Sequence, residues 1–255
     1  MPFAEIVSLS LEYVEIDAAR SDLPTIVMLH EGLGSVSLWK DFPRSVARVT
    51  GQRVLVYSRE GYGRSTPLTG PRTLRYMHDE ALIVLPRLLD QLAIDKPLLF
   101  GHSDGASIAL IHAGGSGRPV SGLILLAPHV IVENISVTSI AAVGRAYETT
   151  DLRGKLSRHH EHVDSMFRGW NDIWLDPAFR AWTIEEYLPR ISCPILAIQG
   201  HDDEFGTMEQ IERIGRAAPQ VELLKLRNCR HSPHRDQPEA VLQATSRFTS
   251  RLFAP

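Results

Sequence analysis

The amino-acid sequence predicts an α/β protein: a mostly parallel, twisted sheet of about eight strands, an antiparallel edge strand first, and helices on both faces. Two observations carry this. Short runs that are apolar at nearly every position recur along the chain, and a strand buried on both faces needs that composition rather than strict alternation. Between these runs lie longer amphipathic stretches, and strand–helix alternation of this kind closes into a parallel sheet with helices on either side. A third observation locates an exception. Residues 131–190 contain no such run, and they read as helices inserted after the sixth strand.

Taken in order, residues 9–16 alternate apolar and polar side chains, as an antiparallel edge strand does. Residues 25–29 (TIVML) form a buried parallel strand that ends in the loop His30-Glu31-Gly32-Leu33-Gly34-Ser35, and residues 39–49 read as a helix. Residues 53–57 (RVLVY) form the next strand, closed by the loop Arg59-Glu60-Gly61-Tyr62-Gly63-Arg64-Ser65. Residues 76–92 form a long amphipathic helix that Pro86 should kink. Strands follow at 97–100 (PLLF), 120–127 (VSGLILLA), 194–199 (PILAIQ) and 221–226 (VELLKL), with helices over 208–217 and 238–253 after the last two. A segment as long as 131–190 is rarely a bare loop in a compact domain. With Trp170, Trp174 and Trp182 in it, it reads as a helical lid over the carboxyl ends of the strands, where open sheets bind ligands. Residues 1–130 and 191–255 then form the core and 131–190 the lid.

Composition removes several classes of function. A net charge of −3 gives no electrostatic case for nucleic acid or an anionic membrane. No apolar run approaches spanning length, and the first 17 residues lack the basic start of a signal peptide. Cys193 and Cys229 fit neither a disulfide framework nor a metal motif, so they read as reduced thiols in a cytoplasmic protein. His159, His160 and His162 cluster in the lid without an acidic or thiol partner at ligand spacing, which reads as a solvated face and not a metal site. The chain is open to being a monomer or a homodimer.

The chemistry centres on residues 96–113. There a strand runs into Gly101-His102-Ser103-Asp104-Gly105 and then into a run of small and apolar residues that suits a closely packed helix. A sharp strand-to-helix turn leaves its central side chain standing proud of the sheet, and glycine two before and two after avoids Cβ clashes. Ser103 is therefore the candidate nucleophile, at a helix N-terminus whose amides can hold a developing anion. A hydroxyl needs a base, and the base an orienting acid. The loop after PILAIQ offers Asp202, Asp203 and Glu204, and the loop after VELLKL offers His231 and His234. The amide of Asp104, directly after the nucleophile, is one candidate oxyanion donor.

With these loops in place the chain resembles the α/β-hydrolase fold family over nearly its whole length. The wording PILAIQGHDDEFGT and CRHSPHRDQPEAV is similar to a serine-nucleophile branch related to meta-cleavage-product hydrolases and small bacterial carboxylesterases. The resemblance implies Asp203 as the acid, three residues after the glycine closing its strand, and His231 as the base that opens the stretch up to Pro238. It implies a second oxyanion donor in the His30–Gly34 loop, Gly32 ahead of Leu33, and neither cofactor nor metal. The expected activity is hydrolysis of a small ester-like substrate through an acyl-enzyme. C–C bond hydrolysis of a ring-fission diketone is the alternative, and a non-catalytic ligand receptor the third reading. Glu31, Glu60 and Arg230 depart from the family wording. Arg230 is expected to lower the pKa of His231 if its guanidinium lies close, and Glu31 to offset this if it points inward. The Asp104 side chain reads either as a helix N-terminal carboxylate or as a pocket group for a cationic or hydroxylated substrate part.

Overall fold

The computed structural model describes residues 2–254. Eight strands form one sheet in the order β1-β2-β4-β3-β5-β6-β7-β8. They are β1 (Phe3–Ile6), β2 (Leu9–Ile16), β3 (Ile26–Leu29), β4 (Val54–Tyr57), β5 (Leu98–His102), β6 (Gly122–Leu126), β7 (Ile195–Gly200) and β8 (Val221–Leu226). The pairs β1–β2 and β2–β4 are antiparallel, and every pair from β4 to β8 is parallel. The expected edge strand over 9–16 is thus second from the edge. The chain turns at Val7, which has a positive φ of 55°, and Phe3–Ile6 folds back along it to become the edge.

Side chains alternate across each strand, so the continuous apolar runs feed two cores. Ile26, Met28, Val54, Val56, Leu98 and Phe100 face one side, where α1 (Phe42–Thr50) and α10 (Pro238–Leu252) cover them. Val27, Leu29, Leu55, Leu99 and Leu123 face the other. There α2 (Tyr76–Asp79), α3 (Leu85–Gln91), α4 (Asp104–Gly115) and, later in the chain, α8 (Glu209–Ala217) pack on them. Burying Phe100 completely stabilises the fold by roughly 1.5–3 kcal/mol. Residues Asp104–His112 of α4 are buried on every side, which is why its sequence shows no polar face.

The helix expected over 76–92 does not simply kink at Pro86. Between α2 and α3, residues Glu80–Val84 widen into a π-helical stretch. Pro86 has no N–H to donate to Ala81 five residues back, and the Ala81 carbonyl instead accepts from His112 Nδ1 of α4 at 2.8 Å.

Between β6 and β7 the chain forms α5 (Asn134–Thr149), α6 (Leu152–Leu156), α7 (Val163–Leu175) and two short 3₁₀ turns, Pro177–Ala181 and Glu185–Arg190. Trp170, Trp174 and Trp182 are all buried. The histidine cluster is not a uniform solvated face. His160 is buried and bridges two core loops, accepting from Gly63 N–H at 3.0 Å and donating to the Leu33 carbonyl at 2.9 Å. Among the described residues no helix is long and apolar enough to cross a membrane.

Candidate active site

The turn from β5 into α4 fixes Ser103 at φ 52°, ψ −120°, a conformation that a non-glycine residue holds only when its surroundings enforce it. The enforcement is visible on both sides. The Ser103 N–H donates to the Leu126 carbonyl of β6 at 2.9 Å, and the Ser103 carbonyl accepts from Ala106 N–H at 2.8 Å. A Cβ on Gly105 would stand 2.1 Å from the Leu29 carbonyl oxygen, and one on Gly101 would stand 2.5 Å from Ala106 backbone atoms. The glycine spacing read from sequence is therefore a packing requirement of this crossing.

His231 lies in the loop between β8 and the short α9 (Pro233–Asp236). Its Nε2 is 2.9 Å from Ser103 Oγ, and its Nδ1 is 2.8 Å and 3.0 Å from the two carboxylate oxygens of Asp203. Asp203 is held in turn by Phe205 N–H at 2.8 Å, Gly206 N–H at 3.3 Å and Gln199 Nε2 at 3.0 Å. Burial opposes the ionisation of Asp203, but the charge and hydrogen bond of His231 and the backbone donors outweigh it and hold its pKa below the ordinary value. Burial likewise opposes a charge on His231. Asp203, with Glu204 and Glu31 behind it, overcomes this and raises the imidazole pKa.

The alternatives separate cleanly. Asp202 is exposed, one residue too early to reach the imidazole. His234 is buried, its ring 4.9 Å from that of Trp39 and 5.3 Å from that of Phe42. Arg230 does not approach the His231 ring as its position suggests. Its side chain is exposed and pairs with Glu204 at 2.8 Å, so the expected lowering of the His231 pKa is replaced by a rise.

Ser103 and His231 open onto a cavity of about 250 Å³. Gly32 and Asp104 lie on its wall, and Ile140, Leu156, Trp170 and Phe205 make its apolar side. Asp104 opens α4, so its N–H has no partner within the helix. Gly32 packs flat against Trp170, whose Nε1 would lie 2.0 Å from an added Cβ. A wider cleft of about 460 Å³ between residues 68–72 and α7 is lined by none of Ser103, Asp203 and His231.

Two features, His129 and Arg59, were not anticipated from the sequence, and a third, the Asp104 side chain, decides between the two alternatives given above. His129, just beyond β6, is buried on the cavity wall with its ring 5.7 Å from that of His231. Its pKa is pushed down to about 3, chiefly by burial, so it is neutral there. Its only sequence signal was its place at the carboxyl end of a strand. The Asp104 side chain is a helix N-terminal carboxylate, buried and not a free pocket group: it accepts from Tyr76 OH at 2.8 Å, and Tyr76 OH accepts from Trp174 Nε1 at 3.0 Å. Arg59, fully buried, stands 3.9 Å from the same carboxylate.

Residues 26–244 match the alpha/beta hydrolase family. A 2-hydroxy-6-oxononadienedioate/2-hydroxy-6-oxononatrienedioate hydrolase of Pseudomonas putida is 24% identical over 81% of this chain and 81% of its own length. A proline iminopeptidase of Lactobacillus helveticus is 25% identical over 75% of this chain and 78% of its own. Among solved structures, a carboxylesterase of Nitrososphaera gargenis superposes with a TM-score of 0.77 at 21% identity, covering 98% of each chain. A meta-cleavage product hydrolase of Pseudomonas fluorescens does so at 0.76 and 14%, again covering 98% of each. With the sheet order, the turn at Ser103 and a match spanning most of the sequence all in agreement, the chain belongs to the alpha/beta hydrolase family.

Proposed function

We propose that this hydrolase cleaves an ester-like bond of a small molecule through an acyl-enzyme, with Ser103 as nucleophile, His231 as base and Asp203 as the acid that orients it. The observation that carries the reading is the unbroken series Ser103 Oγ–His231 Nε2 at 2.9 Å and His231 Nδ1–Asp203 at 2.8 Å, opening on one cavity. In this reading Ser103 Oγ attacks the carbonyl carbon while its proton passes to His231 Nε2, and Asp203 stabilises the imidazolium. The amides of Gly32 and Asp104 hold the oxyanion. The tetrahedral adduct collapses, the C–O bond to the leaving alcohol breaks, and that alcohol takes the proton from His231. Water then repeats the sequence on the acyl-enzyme and frees the acid. The inserted segment 131–190 acts as the lid, because α5, α6 and α7 supply the apolar wall of the cavity.

The cavity favours a neutral substrate. Half-buried Glu31 and exposed Arg235 on its wall face each other 3.6 Å apart, leaving no unpaired arginine or lysine on the cavity wall among the described residues. The Pseudomonas putida relative favours a second reading, hydrolysis of a C–C bond in a diketone-like ring-fission product by the same three residues. Purified protein assayed on neutral acyl esters of increasing chain length, beside a ring-fission dienol, tests both. Ester turnover with no dienol turnover supports the first reading, and the reverse result replaces it with the second.

A further inference from the structure

The amides assigned to the oxyanion are useful only if they are aimed, and the structure shows a single buried side chain touching the supports of both. Arg59 follows β4 and is 2% exposed. Its Nη2 donates to the Glu31 carbonyl oxygen at 2.9 Å. That oxygen also accepts from His30 Nδ1 at 2.7 Å and from Gly34 N–H at 3.1 Å. The tautomer of His30 is set by Arg59 as well, because the Arg59 N–H donates to His30 Nε2 at 3.1 Å and leaves Nδ1 to carry the proton. Three donors therefore fix one carbonyl. In a planar trans peptide the N–H points opposite to the C=O, and the N–H of the Glu31–Gly32 peptide is the amide of Gly32. Holding the Glu31 oxygen toward Arg59 aims the Gly32 N–H the other way. Trp170 packs closely against Gly32 on the same peptide.

The other support lies at the same guanidinium. Among the described residues, the one carboxylate within 4 Å of Arg59 is that of Asp104, at 3.9 Å. Asp104 is the residue whose amide is the second oxyanion donor. The same carboxylate oxygen, Oδ2, accepts from Tyr76 OH, itself held by Trp174 of the inserted α7. An arginine inside a protein is costly unless it is paired, and here Nη2 is the atom that reaches the Glu31 and His30 carbonyls and the Asp104 carboxylate, while Nε has no hydrogen-bond partner among the described residues.

We propose that Arg59, with Tyr76 on the Asp104 side, is a positioning residue that sets the spacing and direction of the two oxyanion amides. It touches neither Ser103 Oγ nor His231. The proposal rests on the ester-hydrolase reading above and adds to it a residue with a role in the transition state alone.

A pair of matched substrates reads this directly: an aryl ester and its thiono analogue, in which sulfur replaces the carbonyl oxygen. Sulfur is a poor acceptor with a longer bond, so it gains little from well-aimed amides, whereas nucleophile and base act on both alike. In Arg59→Lys the charge is kept and the Nη2 contact to the Glu31 carbonyl is lost. Its kcat on the oxo ester should fall about tenfold, less than the roughly 10²–10³ of losing a donor outright, with KM held within about twofold. The thiono rate should fall far less, so the oxo/thiono ratio narrows. If Arg59→Lys does not melt cooperatively, Tyr76→Phe decides, since it removes only the hydroxyl that fixes Asp104; it should narrow the ratio in the same direction. Equal loss on both substrates, or no loss, means Arg59 and Tyr76 merely hold the fold, and overturns the proposal. Failure of the underlying reading looks different: the native chain would turn over neither ester, or its turnover would survive Ser103→Ala.

Discussion

The His102 Nε2–H donates to the backbone carbonyl of His231 at 2.8 Å, so the residue before Ser103 holds the backbone of the residue that bonds Ser103. His102 is buried, and its ring packs 4.9 Å from that of His234. The loop carrying the candidate base is thereby tied to the strand carrying the candidate nucleophile. Replacing His102 by Leu keeps bulk and removes the donor. The expected result is a fall in kcat of up to about 10²-fold, the scale for displacing a catalytic group by an ångström, with KM little changed. Steady-state kinetics on an aryl ester checks it. An unaltered kcat would show that the β8–α9 loop holds its own position.

Removing the Ser103 hydroxyl leaves the cavity and amides intact but no atom to acylate. Ser103→Ala is expected to lower kcat by about 10⁴–10⁶, the scale seen when a triad nucleophile is removed. A fluorophosphonate probe should label the native chain at Ser103 alone. A mass-spectrometric adduct on another serine would remove Ser103 from the role.

The pH profile follows from the direction of the His231 shift. A base must be unprotonated to accept the Ser103 proton, so activity rises as pH climbs through the His231 pKa, which Asp203 holds above 6.5 against the opposing effect of burial. The acid limb of kcat/KM is therefore expected above pH 6.5. Asp203→Asn removes the charge that raises it. The limb should move to lower pH while kcat drops on the order of 10⁴-fold. Asp202→Asn, on an exposed side chain, should change neither. A limb unmoved by Asp203→Asn would dissociate this carboxylate from the base.

Acid stability is a separate consequence of buried neutral histidines. Burial, only partly opposed by the Leu33 carbonyl, lowers the pKa of His160 to about 4, and burial also lowers those of His30, His129 and His234. Between 6.5 and about 4 the unfolded chain binds a proton at residue 160 that the folded chain refuses, so stability falls as pH falls through that window. His160→Gln should be less stable at neutral pH, with a slope shallower by up to about 1.4 kcal/mol per pH unit. Urea midpoints at several pH values check it. Parallel curves for the two proteins would mean that His160 takes up its proton without loss of the fold.

Sequence carried what is local to a strand end. Continuous apolar runs marked β3 to β7, and the glycines around Ser103 marked the turn, because both are short-range packing constraints. The loops after β7 and β8 supplied the candidate acid and imidazole for the same reason, although Asp203 was separated from Asp202 only by a family spacing. What escaped depends on partners far along the chain. The π-helical stretch before Pro86 is completed by His112, the burial of His160 by Leu33 and Gly63, and the anchoring of Asp104 by Tyr76 and Trp174. Arg230 turned outward because Glu204 lay within reach, which its position beside His231 could not disclose. The reversal at Val7 was hidden too, since a β-branched residue is a poor signal for a positive φ.

The two indoles on the cavity wall give the molecule a built-in optical sensor. Of its four tryptophans, Trp170 and Trp174 border the cavity, and Trp174 lies with its ring 5.0 Å from His129 and its N–H bonded to Tyr76. Both rings are shielded from bulk solvent, so a molecule seated in the cavity would meet them directly and alter the local polarity that sets their emission wavelength. Occupancy and turnover are thus readable as a fluorescence change in the unlabelled native chain, before any substrate has been given a chromophore.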